Sequence, residues 1–354
     1  MDFLKGNIRS LYFKYLAAAF GSALITSVYS IVDMAMVGQY QGPEGTAALA
    51  VVAPIWNIIY SLGLLMGIGG SVIYSLIKGQ AESSGQREYQ YFSTAVIGSF
   101  ILAAVSWAVI VFFDSELLTF FGAAGNLLPL AKAYMIPIKF VLPCFLFTQM
   151  LAAFLRNDNN PTLATLGTLS GGVFNIFGDY IFVFVFDMGI FGAGLATAIG
   201  AVISLVVMLT HFFSKKNSLV FVRPENFFSK FGRITVTGFS TFFIDIAMGI
   251  LTILFNRQIM KYLGTNALSV YGIIVNISTF VQCCAYSVGQ AAQPILSVNY
   301  GAKAGQRIRK TLRYALYSAG FFSILWTLLS LLIPNVFVKI FMTPTTEILD
   351  IAPA

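Results

Sequence analysis

Charged positions are so sparse along this chain that the stretches between them define its elements. Segments 15–32, 45–77, 89–113, 140–155, 159–178, 188–214, 262–302 and 314–338 contain no Asp, Glu, Lys or Arg, and a ninth, 234–256, is interrupted only by Asp245. A helix needs roughly 20 apolar residues to cross the hydrocarbon core. Inside that core only a helix or a closed barrel satisfies every backbone group. A barrel would show short alternating strands, which this pattern lacks, so the reading is nine transmembrane helices in an all-α polytopic membrane protein. The first stretch runs on into Asp33 with no small-residue cleavage site and is expected to remain as helix one rather than be removed as a signal peptide.

The pattern also repeats. Gly45-Thr46-Ala47-Ala48-Leu49 returns as Gly264-Thr265-Asn266-Ala267-Leu268, Asn57 as Asn276, Gly70 as Gly289, and Gly85-Gln86-Arg87 as Gly305-Gln306-Arg307. All four matches fall in the same order on a pair of spans and the basic loop after them, as duplicated transporter bundles do. Six spans separate the copies, so equivalent helices share orientation and the repeat is parallel. This divides the chain into a six-helix lobe at 1–213, a polar and basic linker at 214–232 containing Arg223-Pro224, and a second lobe at 233–354 with three helices and the start of a fourth. A second lobe matching the first would need six, so the chain reads as truncated at its C-terminus.

Composition narrows the class. Hydrophobic residues make up 58% and charged residues 10%, the mean hydropathy is +0.82, and a soluble domain carries about 25% charge. The net charge of +7 is first a topology signal. With the N-terminus in the cytoplasm, most basic residues fall in cytoplasmic loops, including Lys78, Arg87, Lys215, Lys216, Arg307 and Arg313, while 114–130 has no Lys or Arg. Nucleic-acid binding would need these charges gathered on one soluble face, and they are dealt out among alternate loops. The three cysteines, Cys144, Cys283 and Cys284, lie in apolar spans without metal-type spacing and read as buried thiols. Glycine and proline fall where helices bend or pack closely: Pro54, Gly63, Gly67, Gly69 and Gly70, Pro137, Pro143 and Pro294.

Charge inside the membrane is costly and marks candidate function. Asp33 lies near the outer end of helix one, Lys139 in helix four, Asp179 in helix five and Asp245 in helix seven. Tyr29 precedes Asp33 by four residues and Asn175 precedes Asp179 by four, so each pair shares a helix face. Two such faces turned together make an oxygen-rich pocket suited to a monovalent cation such as Na⁺, or to a proton shared between carboxylates. Alternatively, Asp33 ends its helix at the interface and Asp179 pairs with Lys139. Lys139 itself either joins the carboxylates or reaches outward, the preferred reading. Asn57, Gln149, Asn256, Asn276 and Gln282, with Lys139 and Asp245, are the polar residues expected to line a substrate cavity.

Several stretches together resemble the multidrug and toxic compound extrusion (MATE) transporters. They are Tyr29-Ser30-Ile31-Val32-Asp33-Met34-Ala35-Met36-Val37-Gly38, Leu155-Arg156-Asn157-Asp158-Asn159-Asn160-Pro161, Asn175-Ile176-Phe177-Gly178-Asp179 and Gly192-Ala193-Gly194-Leu195-Ala196-Thr197. Gln293-Pro294 with Asn299-Tyr300-Gly301-Ala302 resembles the bacterial branch. The resemblance implies two lobes of six helices and an antiporter that expels cationic or amphipathic organic compounds against an inward Na⁺ or H⁺ gradient. It implies that Asp33, Asn175, Asp179 and Thr197 surround the coupling ion, with Tyr29 lining the adjoining cavity. Asp245 loosely matches an acid used on helix seven in another branch. The further expectations are a monomer in the cell's inner (plasma) membrane, contacts with lipid and a small organic substrate, no nucleic acid and no cofactor beyond the coupling ion. A lipid-linked saccharide flippase of the same superfamily would need a more cationic cavity. An intramembrane enzyme is disfavoured, because His211 is the only histidine and no metal-hydrolase or catalytic-triad arrangement is present.

Overall fold

The computed structural model describes residues 3–80, 87–123, 125–262 and 264–333, giving the backbone alone at 43, 252–253, 256–257, 260, 264–270, 272–273 and 275–277. Among the described residues nine long helices follow one another: α1 (Ile8–Gly42), α2 (Glu44–Gly79), α3 (Arg87–Phe112), α4 (Leu127–Asn157), α5 (Pro161–Asp179), α6 (Gly189–Leu209), α7 (Phe227–Tyr262), α8 (Gly264–Gly301) and α9 (Gly305–Leu332). A short helix, Asp114–Phe120, sits between α3 and α4. Among the described residues eight stretches are long and apolar enough to cross a membrane, and α8 occupies the ninth expected span. The two copies of the repeat open α2 and α8. The expected start of a further helix, at 342–354, lies outside the described residues.

Local chemistry sets the boundaries. Asn7 caps α1, its side chain accepting from the backbone N–H groups of Arg9 at 2.9 Å and Ser10 at 3.4 Å. Between α1 and α2 the helical path breaks at Gly42 (φ 70°, ψ −158°), immediately before Pro43. A proline excludes its predecessor from the helical region, and glycine alone takes the positive φ without strain. α4 runs unbroken through Pro137 and Pro143, and α8 through Pro294. α5 starts with Pro161 at its first turn and widens after Asp179 into a π-helical turn, Tyr180–Val185, a local distortion common at functional sites.

Apolar faces point outward as well as inward, as a lipid-embedded bundle requires: Phe100, Phe112, Phe140 and Phe213 are exposed. Helix association therefore rests on close backbone approach through small residues. A side chain at Gly63 or Gly67 would collide with the α4 backbone, one at Gly194 with the Tyr134 carbonyl, and one at Gly301 with the Leu76 carbonyl. Such contacts draw α2 onto α4, α6 onto α4, and α8 onto α2.

The basic end of the bundle is closed by polar contacts. Asn157 at the end of α4 and Gln293 on α8 exchange amide hydrogen bonds of 3.0 and 3.1 Å, and Ser75 donates to Asn157 at 2.6 Å. Arg307 holds the carbonyls of Phe3 and Gly6, each at 2.8 Å. Asp158, almost wholly buried, receives Lys78 at 3.0 Å, the backbone N–H of Ser218 at 2.8 Å and the Ser218 hydroxyl, and lies 2.8 Å from His211 Nε2. The linker after α6 is thereby tied to the α4–α5 turn.

Burial pushes the Asp158 carboxyl up, but the bond to His211, the Lys78 charge and the Ser218 donors outweigh it, and its pKa lies below the ordinary carboxylate value. A lowered folded-state pKa gives stability that is present above the unfolded value and lost as pH falls through the folded one. Asp158→Asn is expected to lower the unfolding free energy at neutral pH by about 1–3 kcal/mol. Thermal melts across pH should show the gap between variant and wild type closing below about pH 4.

Candidate cation site

Four helices bring the acidic cluster together. Gly172 on α5 leaves room for Ile25 and Tyr29 of α1, Gly178 on α5 abuts Ala196 of α6, and Gly194 on α6 abuts α4 at Tyr134. In the space so defined stand Asp33 of α1, Tyr134 of α4, Asn175 and Asp179 of α5, and Thr197 of α6. Asp33 is 8% exposed, Asn175 2% and Asp179 0%.

Hydrogen bonds link most of the group. The Tyr134 hydroxyl donates to Asp33 Oδ2 at 2.9 Å. Asn175 Nδ2 donates to Thr197 Oγ1 at 3.0 Å. Asp179 feels the charge of Asp33 but makes no hydrogen bond through either carboxylate oxygen. Asp33 Oδ1 and the Asn175 carbonyl oxygen are likewise buried without a partner. The cluster thus presents four unpaired oxygens, from two acids and an amide, inside the membrane. Burying such groups unsatisfied costs several kcal/mol, and two adjacent carboxylates cannot both stay charged without a shared proton or a cation. Hard oxygen donors fit Na⁺ as well as a proton. Among the described residues no three His, Cys, Asp or Glu side chains gather as they would around a transition metal.

Of the residues singled out in the sequence, Asp33, Asn175, Asp179 and Thr197 are brought together here. Tyr29 lies one turn from Asp33 and is partly exposed. Lys139 is turned away: its ammonium bonds Asp114 Oδ2 at 2.6 Å on the short outer helix, so neither the pairing with Asp179 nor a place beside the carboxylates is realised. Burial pushes the Asp114 carboxyl up, but bonds from Lys139 and Ser115 and the charges of Lys139 and Lys132 carry it below its ordinary value.

A second polar group lies between α2, α7 and α8. Asp245 accepts from Ser61 at 3.1 Å and from the Tyr286 hydroxyl. Tyr60, the residue before Ser61, is 37% exposed and feels the charges of Arg156 on α4 and Asp245 on α7. Asn57, one turn from Tyr60, is exposed, and Gln149 and Gln282 are partly exposed. The side chains of Asn256 and Asn276 lie outside the described residues. Cys283 and Cys284 are buried and Cys144 half-buried.

Sequence reasoning missed Tyr134, Ser61 and Tyr286. The available signal was weak, namely two tyrosines and a serine in otherwise apolar spans, each meeting its partner across helices. Tyr134→Phe keeps the ring and deletes the single donor to Asp33. It is expected to cost about 1–3 kcal/mol of stability, read as a lower midpoint in thermal unfolding of the detergent-solubilised chain. An unchanged midpoint would show that the bond carries no weight.

Comparison with known proteins gives a consistent picture. The family model described as MatE matches residues 18–181 and 241–353. The multidrug export protein MepA of Staphylococcus saprophyticus is 26% identical over 282 residues, covering 78% of this chain and 61% of that protein. MepA of Staphylococcus aureus is 24% identical over 301 residues, covering 84% and 65%. The chain therefore spans less than two thirds of the length of these relatives. A solved multidrug resistance transporter of the MOP superfamily, in an outward-facing conformation, superposes with a TM-score of 0.87 at 20% identity, over 99% of this chain and 78% of that one. The multidrug transporter DinF-BH, solved in complex with R6G, superposes with a TM-score of 0.85 at 25% identity, over 96% and 76%.

Proposed function

The chain belongs to the MatE family, the multidrug and toxic compound extrusion transporters, and on that premise we propose that it is a secondary antiporter exporting cationic or amphipathic organic compounds in exchange for Na⁺ or H⁺. The observation that carries this reading is the buried cluster of Asp33, Asn175, Asp179 and Thr197 with its unpaired carboxylate oxygens. Its membrane is the cell's plasma membrane, with the basic end in the cytoplasm and the chain acting as a monomer surrounded by lipid. The six helices before 214 and those after 232 act as two lobes about the central cavity.

The chemistry follows from competition for the same oxygens. A coupling cation or proton taken up by Asp33 and Asp179 removes the repulsion between them, and the amide and hydroxyls of Asn175, Thr197 and Tyr134 orient the carboxylates. An organic cation approaching through the cavity past Tyr29 meets carboxylates already neutralised and is released. When the coupling ion leaves, the negative charge is restored and an organic cation binds again. Asp245, with Ser61 and Tyr286, supplies a second acidic point on the cavity wall. The amide pair of Asn157 and Gln293 closes the cytoplasmic side, and it must part for the cavity to face inward.

Asp179→Asn is expected to abolish gradient-driven efflux while leaving expression intact, because a neutral amide neither releases a proton nor neutralises Na⁺. Dye extrusion from cells, or counterflow in proteoliposomes with an imposed Na⁺ or pH gradient, measures this directly. Undiminished efflux in the variant would refute the assignment, and flux without any gradient would indicate a channel.

A further inference from the structure

Away from the acidic cluster, a cavity opens at the basic end of the bundle, where α2 and α3 meet α7. The seam between α2 and α7 is tight there, since a side chain at Gly69 would collide with the Ile234 carbonyl and one at Gly238 with the Leu65 carbonyl. Beside the seam lies a space of about 460 Å³, lined by Ile73 of α2, Tyr91 of α3, and Ser229, Arg233, Val236 and Thr237 of α7. The α7 residues are spaced by three and four and so share one helix face.

Arg233 gives this space its sign. Its Nη1 donates to the Tyr91 hydroxyl at 3.3 Å, and among the described residues no carboxylate forms an ion pair with it, neither Glu88 on α3 nor Glu225 before α7. Tyr91 is 5% exposed, and among the described residues its hydroxyl accepts this bond and donates to no other group. Arg233 also stands where the apolar run of α7 begins, since 234–256 carries only Asp245, and Val236 one turn on is 76% exposed. The cavity therefore has hydrogen-bond donors at the headgroup level and an apolar wall, Ile73 and Val236, on the hydrocarbon side.

We propose that this cavity is a site for the phosphate headgroup of an anionic phospholipid from the adjoining leaflet, held by Arg233 and Tyr91 with its acyl chains along Ile73 and Val236. A guanidinium grips a phosphate through paired N–H donors, and the Tyr91 hydroxyl supplies one more. Basic pockets at the cytoplasmic ends of membrane helices take lipid headgroups by this chemistry. Free phosphate offers the same oxygens but leaves the apolar wall uncovered, whereas a lipid satisfies both. Because the lining comes from α3 and α7, one headgroup touches helices on either side of the linker. The site stands apart from Asp33 and Asp179, so its failure leaves the antiporter reading untouched.

The test titrates the purified full chain, in neutral detergent, with short-chain phosphatidylglycerol, short-chain phosphatidylcholine or inorganic phosphate. The rise of the thermal unfolding midpoint with concentration gives each apparent affinity. Wild type should bind phosphatidylglycerol about tenfold more tightly than either of the others, the value of one charge-assisted contact. In Arg233→Gln the preference over phosphatidylcholine should fall toward one, and in Tyr91→Phe it should be reduced. Lys14→Gln removes an exposed cation outside the cavity and should leave the preference unchanged. The wild-type comparison stands as a readout even if a variant fails to fold. No preference in wild type, an unchanged preference in Arg233→Gln, or an equal loss in Lys14→Gln overturns the site. Inorganic phosphate binding as tightly as phosphatidylglycerol overturns the lipid as its occupant.

Discussion

The membrane makes an unpaired carboxylate costly, and much of this structure is arranged around two of them. Asp33 and Asp179 sit on different helices, buried and close enough to feel each other's charge, yet Asp179 has no hydrogen bond at all and Asp33 has one. A protein that needed only a stable bundle would place leucines there. Retaining two acids in this position leaves buried oxygens without partners, which under the proposed function a cation or proton would complete. The contrast with Asp158 is instructive, because that buried acid is fully surrounded by donors and serves to fix the linker.

Glycine is what lets the acidic helices approach. Gly172 and Gly178 allow tight contacts of α5 with α1 and α6, Gly194 brings α6 so close to the Tyr134 carbonyl of α4 that any side chain would collide, and the same device brings α8 against α2 at Gly301. In hydrocarbon, where lipid tails are as apolar as the helices themselves, such close packing and a few polar contacts hold the bundle together. The contacts at the basic end are therefore few and specific. One amide pair, Asn157 with Gln293, and the hold of Arg307 on Phe3 and Gly6 close that side. The bonds of the neutral amide pair are individually modest.

The architecture was legible in the sequence because lipid enforces a simple rule: runs without charge become helices. The Asp33, Asn175, Asp179 and Thr197 group was legible because the family motifs carry those residues in order along three helices. What lay beyond reach was set across helices. Tyr134 meets Asp33 from α4, Ser61 and Tyr286 meet Asp245 from α2 and α8, and no spacing within one helix reports such pairings. Lys139 shows the same limit from the other side, since its place in an apolar helix suggested a cavity role while its partner, Asp114, stands on a short helix outside the spans.

The central claim is that Asp33 and Asp179 form one site whose charge is neutralised by the coupling ion. Proton counting tests it most directly. The purified chain is held in weakly buffered detergent solution with a pH indicator, and either Na⁺ or an organic cation is added. The account predicts a release of protons on adding one or the other, lost when Asp33 and Asp179 are both replaced by Asn. The same release from that double variant, or no release from wild type with either cation, would contradict it.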